Sequence, residues 1–391
     1  MRIRIESILK ILLILFLTMN VLLIDIKVLG INLRYAVFFS ACFISIFFFS
    51  KGKFLDQKTV RSLVAIIICA ILLFSYSVLL RGNNYQNALW FILPYSTFLS
   101  IPLFRALFRY YSVKRCIDFF IYTTCLLSVY YVILLLLFFF QPTIAFRIVE
   151  VHSLAMLVVD NDVPRVFFKT STFFIPVFVY CLLYIESACL KFFCSIIVII
   201  QIACFLTFGL FFGVFVVVFL YLIYKKKYLL LLVILCLVCF SALAIVNDLE
   251  NFFSASKLYS IGTKVDQISK GFDTDSVISF LFGDGIGAPI IGLDERNLTD
   301  NFIIEVAPVM IYKVGGVFGA IMIVYIYSWY AVKGFFRSLI FKDRDIAFFA
   351  LSQIGMLFAS ISNPLIWSGG TGILFISMLI VAYNQNKIEV D

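Results

Sequence analysis

The chain has 391 residues, a net charge of +9, an apolar fraction of 63%, a charged fraction of 14% and a mean hydropathy of +1.10. A soluble domain is roughly half apolar and about a quarter charged, so this composition excludes a soluble fold. Only a bilayer can solvate this much apolar surface, and the many Phe and Tyr side chains suit lipid-facing positions. We expect an all-α polytopic membrane protein, with residues 1–391 forming a single integral membrane domain.

Charged residues, Gly and Pro divide the chain into about twelve apolar segments of transmembrane length. The first follows a basic N-terminus and is interpreted as a retained helix, because no small-residue cleavage site follows Ile24. The predicted spans are Ile8–Lys27, Leu33–Ser50, Ser62–Leu80, Asn87–Phe104, Cys116–Phe140, Thr172–Leu190, Phe192–Thr207, Leu210–Tyr224, Tyr228–Val246, Phe302–Ala331, Ile346–Ser362 and Gly369–Asn384.

The tenth predicted span is too long for one straight crossing. We expect it to begin as an external surface helix that extends to Lys313. Pro308 would mark the break, because proline removes a backbone donor. The chain would then cross after Gly315 and Gly316.

The distribution of basic residues predicts the orientation of the chain. If the N-terminus is inside, roughly two thirds of the 31 Lys and Arg residues fall in the inner segments. Twelve spans then leave both termini in the cytoplasm. The net positive charge is explained by this topology, so no nucleic-acid partner is expected.

Two long loops, Gln141–Ser171 and Asn247–Asn301, fall on the outer face in this topology. Loops of such length in a compact helical bundle are commonly functional or disordered. Both are expected to contain apolar residues at helical spacing, such as Phe252, Ile261 and Val265 in the second. The pattern favours short amphipathic helices on the membrane surface and places any chemistry outside the cytoplasm.

Both outer loops retain basic residues against the inside-positive rule. A guanidinium can hold a phosphate through two parallel hydrogen bonds, so arginine suits a lipid pyrophosphate at the membrane interface. Arg165, which follows Pro164 shortly before a span, is the leading candidate. The alternative is that these side chains anchor the loops to lipid headgroups. The remaining candidates for substrate binding are Arg147, Lys169, Lys264 and Arg296.

Two carboxylates where the second loop returns to the membrane, Asp300 and Glu305, are candidate general bases. They also suit a helix start, where a carboxylate caps backbone donors. The glycine-rich stretch Phe282–Gly287 predicts a tight turn, since neither a strand nor a Lys-Ser/Thr pair accompanies it. With His152 as the single histidine and cysteines confined to predicted helices, neither a metal nor another cofactor is expected.

In its topology and in four local stretches, the chain resembles the O-antigen polymerase (Wzy) family, within the larger group that includes O-antigen ligases. The resemblance covers the whole length through about twelve spans and large outer loops before the sixth and tenth. The local stretches are Pro164-Arg165 with Phe173-Phe174, Leu281–Gly287, Thr299–Glu305 followed by Val314–Gly319, and Ser362-Asn363-Pro364.

This resemblance implies a glycosyltransferase at the periplasmic face of a bacterial inner membrane. The expected substrates are two undecaprenyl-pyrophosphate-linked glycan repeat units, which the enzyme would join into O-antigen or a related surface polysaccharide. Basic loop residues would stabilise the pyrophosphate leaving group, and a carboxylate would deprotonate the acceptor hydroxyl. The expected partners are the lipid bilayer and a chain-length regulator in the same membrane.

Three other functions remain open from the sequence. An O-antigen ligase would use the same donor, but ligases carry a histidine where this chain has Asp300 before Asn301. A flippase or secondary transporter would favour internal repeats and polar residues at mid-membrane, whereas here the polar residues concentrate in two outer loops. A membrane O-acyltransferase would need a histidine in an early span.

Overall fold

The computed structural model describes residues 57–92, 98, 100–152, 155–160, 163–168, 171–204, 208–236, 255–272, 276–288, 306–361 and 371–388, with isolated positions before residue 33. The described chain is predominantly helical. The helices are α1 (Gln57–Ser75), α2 (Tyr85–Ile92), α3 (Ile101–Tyr110), α4 (Val113–Phe140), α5 (Pro142–His152), α6 (Phe174–Tyr184), α7 (Ala188–Cys204), α8 (Phe208–Tyr224), α9 (Ala255–Gly271), α10 (Val277–Phe282), α11 (Ala307–Phe341), α12 (Arg344–Ala359) and α13 (Thr371–Ile388), with a further helical stretch at 228–236.

Two short antiparallel ribbons accompany these helices. Strands β1 (Lys27–Val28) and β2 (Ile31–Asn32) form the first, and β3 (Ala155–Asp160) and β4 (Val163–Phe168) form the second. The second ribbon lies in the first predicted outer loop, after α5, and the sequence analysis did not anticipate it. Its β-branched content (Val158, Val159, Val163, Val166) suits a pleated pair. Helices α9 and α10 occupy the second predicted loop.

Two described helices, α4 and α11, are long and apolar enough to cross a membrane by length and composition. At 1.5 Å per residue, the 28 residues of α4 extend about 42 Å, against a hydrocarbon core of roughly 30 Å. Shorter apolar helices accompany them at Val64–Leu80, Ser171–Tyr184, Ala188–Ile202, Gly209–Tyr224 and Phe375–Asn384. The predicted spans Ile8–Lys27 and Leu33–Ser50 lie almost wholly outside the described residues.

Helix α12 is the centre of the core and packs against α6, α8, α11 and α13. Its buried residues run from Ile346 through Met356 on every face. A helix that is apolar all round belongs inside a protein rather than at its surface. Its first turn is held by Asp343, whose carboxylate accepts hydrogen bonds from the backbone N–H groups of Asp345 and Ile346, each at 3.0 Å.

Buried phenylalanines join four elements around α12. The Phe120 ring on α4 meets Phe375 on α13 edge-on at 4.9 Å and Phe173 at 5.1 Å between ring centroids. Phe348 and Phe349 of α12 complete the group, their centroids 5.3 Å apart. Edge-to-face pairs add stability beyond the area they bury. These five rings therefore build the core, although the sequence favoured lipid-facing positions for its aromatic residues.

The break expected in the tenth span lies at Gly316, and Pro308 does not cause it. Gly316 has φ 59° and ψ −161° within α11, whereas Pro308 occupies the first turn of that helix. Proline is tolerated there because the first N–H groups of a helix have no intrahelical acceptor. The segment before the break is also not simply a surface helix, since Val309, Met310 and Ile311 are buried.

The sixth predicted span, Thr172–Leu190, ends earlier than expected. Helix α6 stops at Tyr184 and α7 begins at Ala188. Glu186, interpreted from the sequence as a residue within a span, lies in the turn between them with 85% of its side chain exposed. At the start of α7, the Ser187 backbone carbonyl accepts a hydrogen bond from the Lys191 N–H at 2.9 Å.

The close crossing of α8 and α12 predicts that a single added methyl group has a large effect on stability. A Cβ at Gly213 of α8 would lie 2.5 Å from the Gly355 carbonyl oxygen of α12, a backbone atom that cannot rotate away. We expect Gly213→Ala to destabilise the detergent-solubilised protein by about 1–3 kcal/mol, measured by thermal unfolding. Gly319→Ala is the matched control, because a Cβ there meets nothing within 4 Å and alanine favours the helix. Equal unfolding temperatures for the two variants would contradict this packing.

Candidate functional site

Helix α1 ends in an unusual turn that presents an arginine. After Ser75 the chain forms a π-helical turn, Tyr76–Leu80, and Arg81 follows it. Gly82, at φ 69°, then turns the chain toward α2. Single π turns inside α-helices are frequent at functional sites.

The Arg81 guanidinium connects this turn to a distant segment. Its Nε donates to the Tyr76 hydroxyl at 2.7 Å, and its Nη2 donates to the Ser279 hydroxyl at 2.9 Å and to the Gly283 carbonyl at 2.8 Å. The Tyr76 hydroxyl also donates to the Gly283 carbonyl at 2.7 Å. Arginine suits this role because its donors form a rigid planar fork.

The segment that Arg81 holds is a glycine loop, defined here as Gly283–Gly287. It docks on α11 where that helix breaks: the Asp284 N–H donates to the Lys313 carbonyl at 2.8 Å and the Gly285 N–H to the Val314 carbonyl at 3.1 Å. The two backbones come so close that a Cβ at Gly283 would lie 2.6 Å from the Gly316 nitrogen. Both glycines also have positive φ, which L side chains disfavour. The close backbone contact and the positive φ therefore require glycine at both positions.

Further polar contacts fix the rest of the glycine loop. The Asn83 amide donates to the carbonyls of Asp284 at 2.9 Å and Ile286 at 3.2 Å. The buried Ser77 hydroxyl accepts from the Ile286 N–H at 2.7 Å. Lys313 pairs with the Asp284 carboxylate at 2.8 Å, and both side chains are less than a third exposed. We call Tyr76, Arg81, Ser279, Asp284 and Lys313, with the glycine loop, the Arg81 site.

An apolar pocket lies directly beside the Arg81 site. Ile286 of the glycine loop forms one wall, and its other lining residues come from α1, α2 and the part of α11 that follows the break. These are Ile66, Cys69, Ala70, Leu73, Ile92, Met322, Ile323 and Ile326. The arrangement places cations next to an apolar pocket, which suits a ligand with an anionic head and an apolar chain.

A second polar group, the tyrosine cluster, joins α4, α6 and α12. Lys114 pairs with Asp118 and lies over the rings of Tyr180 at 4.5 Å and Tyr184 at 4.1 Å. Tyr184 donates to Asp345 at 2.5 Å. Burial raises the pKa of the Asp345 carboxyl, against the opposing effect of the hydrogen bond from Tyr184. Each polar group in this cluster has a partner, so its main consequence is to tie three helices together.

Three of the residues predicted from the sequence are described by the structure, and they lie outside the Arg81 site. Arg147 is exposed on α5, which packs on α4, and Lys264 is half-buried on α9, which packs on α11. Arg165 is in β4, in register with Val158 of β3. Within the described part of the chain, none of these three belongs to the Arg81 site. The predicted residues that lie outside the described ranges are Lys169, Arg296, Asp300 and Glu305.

Sequence reasoning missed Arg81 because it searched only the two long loops. The available signal was an arginine at the predicted outer end of a span, which departs from the inside-positive rule, followed by the turn residues Gly82, Asn83 and Asn84. The tight turn predicted for Phe282–Gly287 is present. Its glycines serve the docking on α11, which no local pattern indicates.

Comparison of the sequence with models of known protein families finds no match, and comparison with curated proteins finds no similar one. Among the described residues, no group of three or more His, Cys, Asp or Glu could hold a metal ion. The Arg81 site is thus characterised by its own geometry: two cations, one carboxylate and a glycine loop beside an apolar pocket.

Arg81 is expected to hold the glycine loop in place. Hydrogen bonds from a charged donor contribute about 1.5–3 kcal/mol each, so Arg81→Ala should raise local opening at least tenfold. Hydrogen exchange followed by mass spectrometry should show faster exchange in residues 276–288, which include the Asp284 and Gly285 amides. Arg61→Ala, an exposed position on the same helix, is the control and should leave this exchange unchanged. Unaltered exchange in Arg81→Ala would contradict the role assigned to Arg81.

Proposed function

We propose that the chain is a membrane glycosyltransferase that polymerises undecaprenyl-pyrophosphate-linked oligosaccharide repeat units into O-antigen or a related surface polysaccharide. It would act at the periplasmic face of a bacterial inner membrane, as a multi-pass protein with both termini in the cytoplasm. The observation that carries the proposal is the juxtaposition of Arg81 and Lys313 with an apolar pocket.

Exposed apolar surface supports an environment of lipid. Along α4, Tyr122 is 68% exposed, Leu126 61% and Val129 57%. On α11, Ile321 is 64% exposed and Ile340 74%. Soluble monomers rarely expose contiguous apolar surface on this scale, whereas lipid tails solvate it.

Contacts between distant segments support the predicted sidedness. At the end predicted to be outside, Arg81 meets Gly283, and the Ala307 N–H donates to the Ile361 carbonyl at 3.0 Å. At the end predicted to be inside, Lys342 donates to the Tyr224 carbonyl at 3.4 Å. Segments assigned to one face of the membrane thus touch one another, as the twelve-span topology requires.

The chemistry of transfer from a pyrophosphate fits the groups at the Arg81 site. Pyrophosphate becomes a good leaving group when cations meet its negative charge. The hydrogen bonds of Arg81 to Tyr76, Ser279 and Gly283 use its Nε and Nη2 but not the two N–H groups of Nη1, and Lys313, which pairs with Asp284, supplies a second cation. The polyprenyl chain of the donor would run past the apolar pocket, whose side chains offer it apolar contacts. Asp300 or Glu305 remains our proposed base for the acceptor hydroxyl, and Arg165, Arg147, Lys169, Lys264 and Arg296 remain proposed contacts to substrate.

Deletion of the gene in its host tests the proposed activity. Without a polymerase, surface lipopolysaccharide should carry single repeat units, and the ladder of longer chains should disappear from a gel. Complementation with the wild-type gene should restore the ladder. A deletion strain whose lipopolysaccharide lacks even one repeat unit would contradict polymerisation and favour a flippase or ligase.

Complementation of the deletion strain with single variants tests which arginines are needed to form the polymer. Loss of a charge-assisted contact to pyrophosphate should cost about 1.5–3 kcal/mol, and each 1.4 kcal/mol lowers the rate about tenfold. We therefore expect Arg81→Ala and Arg165→Ala to shorten or abolish the ladder at normal protein level, with lysine a partial substitute at position 165. Arg105→Ala, at the predicted inner face, is the control. We expect full-length polymer chains from this variant. A normal ladder from Arg165→Ala would reduce that residue to a headgroup anchor.

A further inference from the structure

Six basic side chains converge at the end of the molecule opposite the Arg81 site, and we call them the lysine patch. They come from three turns: the start of α7, the turn after α8, and the turn between α11 and α12. They are Lys191, Lys225, Lys226, Lys227, Lys342 and Arg344. Of these, Lys191 is half-buried and the other five are exposed.

A shared tyrosine and the backbone hold two of these turns together. Lys225 lies 5.5 Å and Lys342 5.2 Å from the centre of the buried Tyr224 ring. The Lys342 ammonium also donates to the Tyr224 carbonyl at 3.4 Å. Lys226 and Lys342 both have φ 57°, a left-handed conformation that closes each turn tightly. The cations are thus brought close by the fold rather than merely being near in sequence.

Three carboxylates, Glu186, Asp343 and Asp345, adjoin the six cations of the patch, which keeps a net positive charge. Glu186 is 3.8 Å from Arg344 and largely exposed, so the pair is weak. Asp343 caps α12, and Asp345 accepts the hydrogen bond from Tyr184. The pKa of Lys225 is lowered, first by partial burial and then by Lys191, Arg344, Lys342 and Lys227. The charges of the patch therefore act on one another at short range.

The surface next to the lysine patch is apolar. Leu229 is 80% exposed, Phe341 61% and Phe192 62%, and each lies within two residues of a basic residue of the patch. A ligand that binds both the lysine patch and the apolar surface beside it needs a multiply charged anionic head and apolar chains. Basic pockets at the cytoplasmic ends of membrane helices bind diphosphate lipid headgroups in this way.

We propose that the lysine patch binds an anionic phospholipid of the inner leaflet, with a preference for a two-phosphate headgroup such as that of cardiolipin. The inference rests on the membrane orientation in the proposed function but not on its chemistry. Two phosphates can engage cations from separate turns at once, and the acyl chains then lie along the apolar residues beside them. Bound lipid would stabilise the junction of α7, α8 and α12 by favouring the folded arrangement of these cations.

The test uses the purified full-length protein in detergent, stripped of lipid. Added cardiolipin should raise its unfolding temperature and remain bound in native mass spectrometry, while phosphatidylcholine and inorganic pyrophosphate should do neither. At about 1 kcal/mol per lysine, Lys225→Gln with Lys227→Gln should weaken cardiolipin binding roughly thirtyfold. The charge-matched control, Arg61→Gln with Lys270→Gln, should bind as the wild type does.

Three outcomes would overturn the inference. Equal weakening in both double variants would show attraction to net charge rather than to the patch. Equal stabilisation by phosphatidylcholine would show a general lipid effect, and equal stabilisation by pyrophosphate would show an anion site without lipid. If the lipid-binding test fails while the wild-type gene still restores the polymer ladder, the proposed polymerase stands. Specific cardiolipin binding with no change of ladder on gene deletion would overturn the polymerase alone.

Discussion

The close approach of two backbones, at Gly283 and Gly316, is the constraint on which the rest of the Arg81 site depends. With no room for a Cβ at either position, the glycine loop reaches the broken stretch of α11 and donates its N–H groups to the carbonyls there. The loop then carries the Gly283 carbonyl to Arg81 and the Asp284 carboxylate to Lys313. A side chain at Gly316 would separate the cations from the apolar pocket that Ile286 helps to line.

The central helix α12 links this site to the opposite end of the molecule. Its crossing with α8 depends on Gly213 and Gly355, and its N-terminal turn joins the tyrosine cluster and the lysine patch. Its far end leads to Ile361, whose carbonyl accepts the N–H of Ala307 at the start of α11. Small residues at such crossings permit the close packing that replaces hydrophobic driving force between helices in lipid. Apolar surface thus separates two polar ends, an arrangement that a bilayer favours.

Composition and periodicity predicted the helical class and several helix limits, because apolar runs and charged turns are local signals. Predicted spans ending at Phe140 and Tyr224 coincide with the ends of α4 and α8. The site escaped prediction because its contacts are remote: Arg81 and Ser279 are 198 residues apart, and no local pattern encodes their pairing. Gly316 was located but its break was attributed to Pro308, since the docking of a distant loop cannot be inferred from the helix itself. The β3–β4 ribbon was missed within a loop interpreted as helical.

In the proposed topology, the glycine loop and the lysine patch face opposite sides of a membrane. Fusions of alkaline phosphatase, which is active only in the periplasm, test this most directly when placed within residues 273–275 and after Lys227. We expect high phosphatase activity at 273–275 and none after Lys227, with the reverse pattern for a reporter that functions only in the cytoplasm. Equal activity at both positions, or activity only after Lys227, would contradict the assignment of the Arg81 site to the outer face.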